Sequence, residues 1–184
     1  MEVKPGSSVY IIDDVVSDDF CQTLKTIIDN TRGIYEIYKP ASNVRAKSIT
    51  KAQFENKIFA TMIDKEIYDV VNNIIEQILT INKYLTPING DSGYKLRKIH
   101  GATREHIDGT ICPNDTSGIR KMSLIIALND DYEGGEFYFP QHDIKVKLKK
   151  RQAILFPPYW THPHGTNELL NNTFRYTINT WLLE

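Results

Sequence analysis

Cysteine is nearly absent: Cys21 and Cys112 are the two in 184 residues. Two thiols make no disulfide framework, and without Cys-x-x-Cys spacing they form neither a zinc knuckle nor a dithiol redox pair. A reducing, cytosol-like compartment is the expectation. Long hydrophobic runs are absent too. The longest, Leu124–Leu128, falls far short of the roughly 20 residues that cross a bilayer. Met1-Glu2-Val3-Lys4-Pro5-Gly6 has no apolar stretch of the signal-peptide kind. A cytoplasmic chain with no membrane partner is therefore expected. A dominant charge is also missing. The 22 basic and 23 acidic residues leave a formal net charge of −1, so no global field draws in nucleic acid. Repeats and low-complexity tracts are absent. What remains is ordinary globular composition, 41% apolar and 24% charged. A chain of this length fits one domain, 1–184, that needs no covalent staple.

Helical signals come first, about 1–92, and strand signals follow, about 93–184. Val9–Val16 reads as a short strand. Ser17-Asp18-Asp19 is a helix start, with Ser17 as cap and two acids where the dipole favours them. Phe20, Leu24, Ile27 and Ile28 then share a face, and Thr31-Arg32-Gly33 ends the helix. Glu55–Ile81 is a long amphipathic helix, with a break near Thr61–Lys65 as an option. From Gly93 the segments are short, β-branched and aromatic: Tyr94–His100, Arg120–Leu128, Glu136–Phe139, Ile144–Leu148, Gln152–Phe156 and Phe174–Leu183. Strands this close need antiparallel hairpins rather than helical crossovers. The fold class is α+β: an antiparallel sandwich or jelly roll with supporting N-terminal helices.

Candidate chemistry starts at His106 and Asp108. In an extended segment, residues i and i+2 project to one face, so an imidazole and a carboxylate can reach one ion. Taken alone, such a pair is more often a solvated strand end. A third ligand would come from His162 or His164, after the Gln152–Phe156 strand. Two histidines, one carboxylate and open positions form the facial triad of non-haem iron oxygenases. Zinc hydrolases use similar ligands, but the helical His-Glu-x-x-His is absent. Alternation in Phe174–Trp181 puts Arg175, Thr177, Asn179 and Trp181 on one face. If that face is inward, Arg175 needs an anionic partner, and its guanidinium fork suits a ligand carboxylate. The plain alternative is a solvated, outward Arg175.

These segments, in this order, resemble the Fe(II)- and 2-oxoglutarate-dependent dioxygenases, in the prolyl 4-hydroxylase-like branch. The resemblance rests on His106-Ile107-Asp108-Gly109, and on Arg120–Asn129 with the acidic turn Asp130–Glu133. It continues through Gly134-Gly135-Glu136, Phe139-Pro140, Ala153–Pro157 and Arg175–Trp181. It implies a double-stranded β-helix in which His106, Asp108 and His164 hold Fe(II). Arg175 would pair with the distal carboxylate of 2-oxoglutarate. It also implies O2 as co-reactant, L-ascorbate as an accessory, and a prolyl residue of a protein or peptide as substrate. His164 is preferred to His162 because it stands eleven residues before Arg175 and is followed by Gly165-Thr166. The chain departs from the family in having Arg97-Lys98-Ile99-His100 where a tyrosine often reaches the cosubstrate.

Plainer readings cover the rest. His100 is a polar strand end and His142 an exposed turn. Lys145–Arg151 is a solvated face rather than a nucleic-acid patch. Tyr132, Tyr138, Tyr159 and Trp160 are either core or groove. Ile111–Ile119 and the loop-like Tyr38–Ala52 are candidate lids. The competing functions are the same chemistry on a small molecule or a nucleic-acid base, and a jelly-roll binding module without catalysis. Oligomeric state is not legible.

Overall fold

The computed structural model describes residues 2–3, 7–37, 45–85, 87–109 and 118–184. The first part holds β1 (Glu2–Val3), β2 (Tyr10–Ile12), α1 (Asp18–Asn30), β3 (Ile34–Ile37), β4 (Arg45–Ile49) and α2 (Lys57–Ile81). Strands then dominate: β5 (Gly90–Asp91), β6 (Lys95–His100), β7 (Thr103–His106), β8 (Arg120–Ala127), β9 (Glu133–Gly134) and β10 (Phe137–Phe139). The rest are β11 (Ile144–Val146), β12 (Ala153–Phe156), β13 (His164–Thr166), β14 (Leu169–Leu170) and β15 (Arg175–Leu183).

Both helices start where their capping chemistry places them. The Ser17 hydroxyl accepts from the Phe20 N–H at 3.1 Å, ahead of Asp18 and Asp19. The Asn56 side chain accepts from Ile58 and Phe59 N–H, both at 3.0 Å. α2 runs unbroken. Its apolar residues keep helical spacing through Thr61–Lys65, with Ala60, Ile63, Ile67, Val71, Ile74 and Ile78 all buried on one side, so the optional break there does not occur. Among the described residues no helix is long and apolar enough to cross a membrane.

The major sheet is antiparallel, in the order β1-β2-β12-β8-β15-β6-β4-β3, with β5 on the end of β15. Its outer face carries Leu96, Met122, Leu124, Ile126, Leu155, Tyr176 and Ile178, which pack under α1 and α2. The minor sheet runs β11-β10-β13-β7. Between the sheets lies a second core of Ile11, Ile125, Phe137, Phe139, Ile154 and Phe156. Strict alternation along the central strands produces these two cores: Met122, Leu124 and Ile126 face the helices, while Ser123, Ile125 and Ala127 face the minor sheet. The result is an α+β double-stranded β-helix with helices on one face.

Two expectations need correction. Tyr38–Ala52 is not a continuous loop. Arg45–Ile49 is β4, paired with β3 and β6, and Lys51–Gln53 is a short helical turn closed by Thr50 and Gln53. Polar residues mask this strand because its buried side chains, Ala46, Ser48 and Ile49, include only one large apolar group. The Val9–Val16 strand is shorter, Tyr10–Ile12; Asp14 beyond it takes φ +55, which ends pairing. Residues 38–44 and 110–117, which include Cys112 and most of the Ile111–Ile119 loop, lie outside the described residues. Replacing Asn56 with Ala should cost about 1 kcal/mol. Thermal melts should then shift down by about 2–4 °C; an unchanged midpoint would show that the cap is dispensable.

Candidate metal and cosubstrate site

β7 and β13 are neighbours in the minor sheet, and their register sets His106 directly opposite His164. The imidazole centroids lie 4.5 Å apart. Asp108 follows β7 in a turn pinned from both sides. Gly109 N–H donates to the Pro158 carbonyl at 2.9 Å, and Arg120 Nη1 donates to the Asp108 carbonyl at 2.6 Å. Asp108 Oδ1 is 3.4 Å from His106 Nε2 and 3.8 Å from His164 Nε2. One ligand atom from each of the three residues falls within 4.8 Å of the others. Metal bonds of about 2.1 Å set neighbouring ligands roughly 3 Å apart, so a small inward shift would close this set on an ion.

The histidines are oriented for that. His106 Nδ1 contacts the Arg104 carbonyl at 2.9 Å, and His164 Nδ1 the His162 carbonyl at 3.1 Å. A carbonyl can only accept, so each Nδ1 carries a proton, and Nε2, which points toward Asp108, is the atom left for a metal. His164 is walled by the rings of Phe139 and Phe156. Burial lowers its pKa, against the opposing charge of Asp108. His106, more exposed, is raised by its hydrogen bond to Asp108. Burial pushes the Asp108 carboxyl up. Hydrogen bonding from His106, the nearby His164 and donors from Ser123 and Trp181 outweigh that and hold it well below the usual carboxylate range.

The cluster opens into a cavity of about 450 Å³ between the sheets. Arg175 lines it, 4% exposed. Its Nη1 donates to the Gly135 carbonyl at 2.7 Å, and the guanidinium stands 4.7 Å over the Phe137 ring. Its Nε is buried with no hydrogen-bond partner, and among the described residues no carboxylate pairs with it. Burial pulls its pKa down to about 10, which leaves it a cation at neutral pH. The solvated, outward reading of Arg175 is therefore excluded. The turn that receives Nη1 depends on glycine: Gly134 and Gly135 have φ +68 and +71, where a side chain is strained. Asn129 fixes the start of β15, accepting from Tyr176 N–H at 2.7 Å and donating to the Phe174 carbonyl at 2.9 Å.

His162 is not part of the cluster. It stacks on His142, centroids 4.4 Å apart, and its pKa falls to about 4 through burial and the neighbouring His142 and His164. His142 is half-buried, with Nε2 at 2.9 Å from the Thr161 carbonyl, so it is not an exposed turn residue. His100 closes β6 and contacts the Thr173 carbonyl at 3.1 Å. Tyr132 is core, whereas Trp160 is 75% exposed. Arg97 and Lys95 face the cavity. Sequence reasoning passed over Ser123, whose one available signal is a small polar residue before the apolar run Leu124–Leu128. It placed Trp181 on the cavity face without a role.

Residues 94–183, just under half of the chain, match the 2OG-Fe(II) oxygenase superfamily. Prolyl 3-hydroxylase 2 of Rattus norvegicus is 21% identical over 212 aligned positions, covering 96% of this chain and 30% of that protein. The Homo sapiens protein of that name matches equally, at 29% of its length. The chain thus spans under a third of these relatives. Its structural neighbours are prolyl hydroxylases. The viral collagen prolyl hydroxylase vCPH of Paramecium Bursaria Chlorella virus-1 superposes with TM-score 0.67 at 19% identity, covering 98% of each chain. A Trichoplax adhaerens prolyl hydroxylase, solved with a hypoxia inducible factor peptide fragment, gives 0.68 at 16%, covering 97% of this chain and 84% of that one. A Pseudomonas putida prolyl-4-hydroxylase gives 0.63 at 13%, with coverages of 97% and 94%. At these identities the likeness is one of fold.

Gly165 lets β13 approach its neighbours. A methyl there would meet the Tyr138 hydroxyl, stand 2.5 Å from Tyr138 Cζ and 2.7 Å from the Thr103 carbonyl oxygen. Gly165→Ala should destabilise the fold by about 1–3 kcal/mol in denaturant melts. It should also weaken Co(II) binding as His164 is displaced. Gly90→Ala, with nothing within 4 Å, is the control. Equal behaviour of the two variants would contradict this packing.

Proposed function

We propose that the chain is an Fe(II)- and 2-oxoglutarate-dependent oxygenase that hydroxylates prolyl residues of a protein or peptide. One observation carries the reading: a buried guanidinium with no carboxylate partner among the described residues shares a cavity with a converged His-Asp-His set. The residues fit the groups the family implies. A divalent cation would compensate the partly buried Asp108 charge and be held by Nε2 of His106 and His164 and Oδ1 of Asp108. A dicarboxylate would answer the Arg175 cation, which otherwise faces the cavity with Nε unsatisfied.

With iron, 2-oxoglutarate and O2 in place, the supplied chemistry is oxidation of a C–H bond to C–OH as 2-oxoglutarate becomes succinate and CO2. The protein's part is positioning. The backbone carbonyls of Arg104 and His162 hold both imidazoles in the ligating tautomer. Phe139 and Phe156 keep water from the His164 side. The Gly135 carbonyl holds the Arg175 fork through Nη1 at the cavity wall. The Pseudomonas putida neighbour is named for the 4-position and the curated relatives for the 3-position. We assign the 4-position.

The test is anaerobic reconstitution with Fe(II), addition of 2-oxoglutarate, and a search for the weak visible charge-transfer band of a chelated keto acid. O2, L-ascorbate and proline-containing peptides then follow, with succinate assayed and hydroxyproline isomers separated. His106→Ala and Asp108→Ala should lose metal and turnover. Arg175→Leu should keep the metal and raise the 2-oxoglutarate requirement about tenfold or more, the worth of a charged hydrogen bond. An unchanged requirement in Arg175→Leu contradicts its role. No band in folded, metal-loaded protein contradicts the function.

A further inference from the structure

The two oxygens of Asp108 live in different surroundings. Oδ1 faces the histidines of the minor sheet. Oδ2 takes the Ser123 hydroxyl at 2.5 Å and the Trp181 indole N–H at 3.1 Å, both from the major sheet. Ser123 and Trp181 sit directly opposite each other across β8 and β15, so the two donors arise from one cross-strand pair in the middle of the sheet. Arg120, 6% exposed, completes the arrangement. Its guanidinium lies 3.7 Å from the Trp181 ring centroid and its Nη1 donates to the Asp108 carbonyl at 2.6 Å. The Arg120 carbonyl accepts from the Tyr159 hydroxyl at 2.8 Å, which ties this group to the segment beside the Asp108 turn.

We infer that Ser123, Trp181 and Arg120 are positioning residues: Ser123 and Trp181 saturate Asp108 Oδ2, with Arg120 behind them, and so confine the carboxylate to giving a single oxygen, Oδ1, to the metal. The inference rests on the functional reading above. A carboxylate oxygen offers about two acceptor sites, and a hydroxyl and an indole N–H fill both on Oδ2. Charge-assisted bonds of this kind are among the stronger ones, so turning Oδ2 away from them toward an ion is costly. Arg120 blocks the other escape: stacked on the indole, it holds the ring in the orientation that aims Nε1 at Oδ2, and it pins the backbone from which the carboxylate hangs. The consequence is steric as much as electronic. A carboxylate that gave both oxygens would occupy a coordination position that a keto acid needs. The clamp keeps that position open without touching the cosubstrate. Neighbours that orient a metal ligand commonly matter about 10–100-fold in affinity or activity.

The test uses Co(II)-loaded protein, whose ligand-field absorption reports coordination without turnover, followed by titration with 2-oxoglutarate. The double variant Ser123→Ala, Trp181→Phe should still bind Co(II). Its Co(II) spectrum should differ from that of the wild type before cosubstrate is added, and its 2-oxoglutarate Kd should be about tenfold weaker. Ser123→Thr keeps the hydroxyl and should keep the wild-type spectrum and Kd, an outcome that mere packing damage would not give. If the double variant does not fold, Ser123→Ala alone should show the same changes at smaller size. A folded, Co(II)-loaded variant with the wild-type spectrum and Kd overturns the clamp while leaving the function standing. Wild-type protein that binds neither Co(II) nor 2-oxoglutarate overturns the functional reading, and the clamp with it.

Discussion

Asp108 is the point at which the two sheets of this fold are tied together. Its side chain is only 16% exposed, and an anion so far removed from water is tolerable only if it is answered on its inner sides. The minor sheet answers through His106 and His164, which face Oδ1. The major sheet answers through Ser123 and Trp181, which bond Oδ2. The backbone on either side is held by Arg120 and by the Pro158 carbonyl. Depressing the carboxyl pKa is the electrostatic expression of this arrangement. Moving any one partner would loosen the packing of one sheet on the other as well as the cluster itself.

Arg175 sets the second constraint, of opposite sign. It begins β15, the strand that pairs with both β6 and β8 at the centre of the major sheet. Its neighbours on the other face, Tyr176 and Ile178, are locked under the helices. Alternation then leaves Arg175 no choice but the cavity. A buried cation held by a backbone hydrogen bond to Gly135, with Nε unsatisfied, is expensive for the fold by itself. Such cost is commonly retained where a ligand compensates it, and here the anion would enter the space that the His-Asp-His set also faces. The fold therefore holds one negative and one positive centre across a single cavity, which is the polarity a metal-chelating dicarboxylate requires.

Local rules read from the sequence describe this chain well where the signal is local. Ser17 and its acids start α1, and the alternation of Arg175, Thr177, Asn179 and Trp181 is the true inward face of β15. His106, Asp108 and His164 could be singled out by type, spacing and resemblance. Their convergence depends on a register, His164 opposite His106, that no local pattern encodes because β7 and β13 are short and far apart in sequence. Arg175 illustrates the same limit: as an isolated residue it favoured solvent, and the sheet turned it inward. The β3–β4 hairpin was illegible because β4 is largely polar and β3 lies at the edge of the sheet with Ile34 and Tyr35 exposed. Ser123 was illegible because a serine in an apolar strand has no meaning until the residue across from it, Trp181, is known.

The most direct test is a crystal structure of the protein grown without O2 in the presence of Mn(II) and 2-oxoglutarate. The account predicts the ion at His106 Nε2, Asp108 Oδ1 and His164 Nε2, with metal–ligand distances near 2.1 Å. It also predicts the distal carboxylate of the cosubstrate on the Arg175 guanidinium. An ion held elsewhere, or a cosubstrate whose distal carboxylate leaves Arg175 with the Gly135 carbonyl alone, would contradict it.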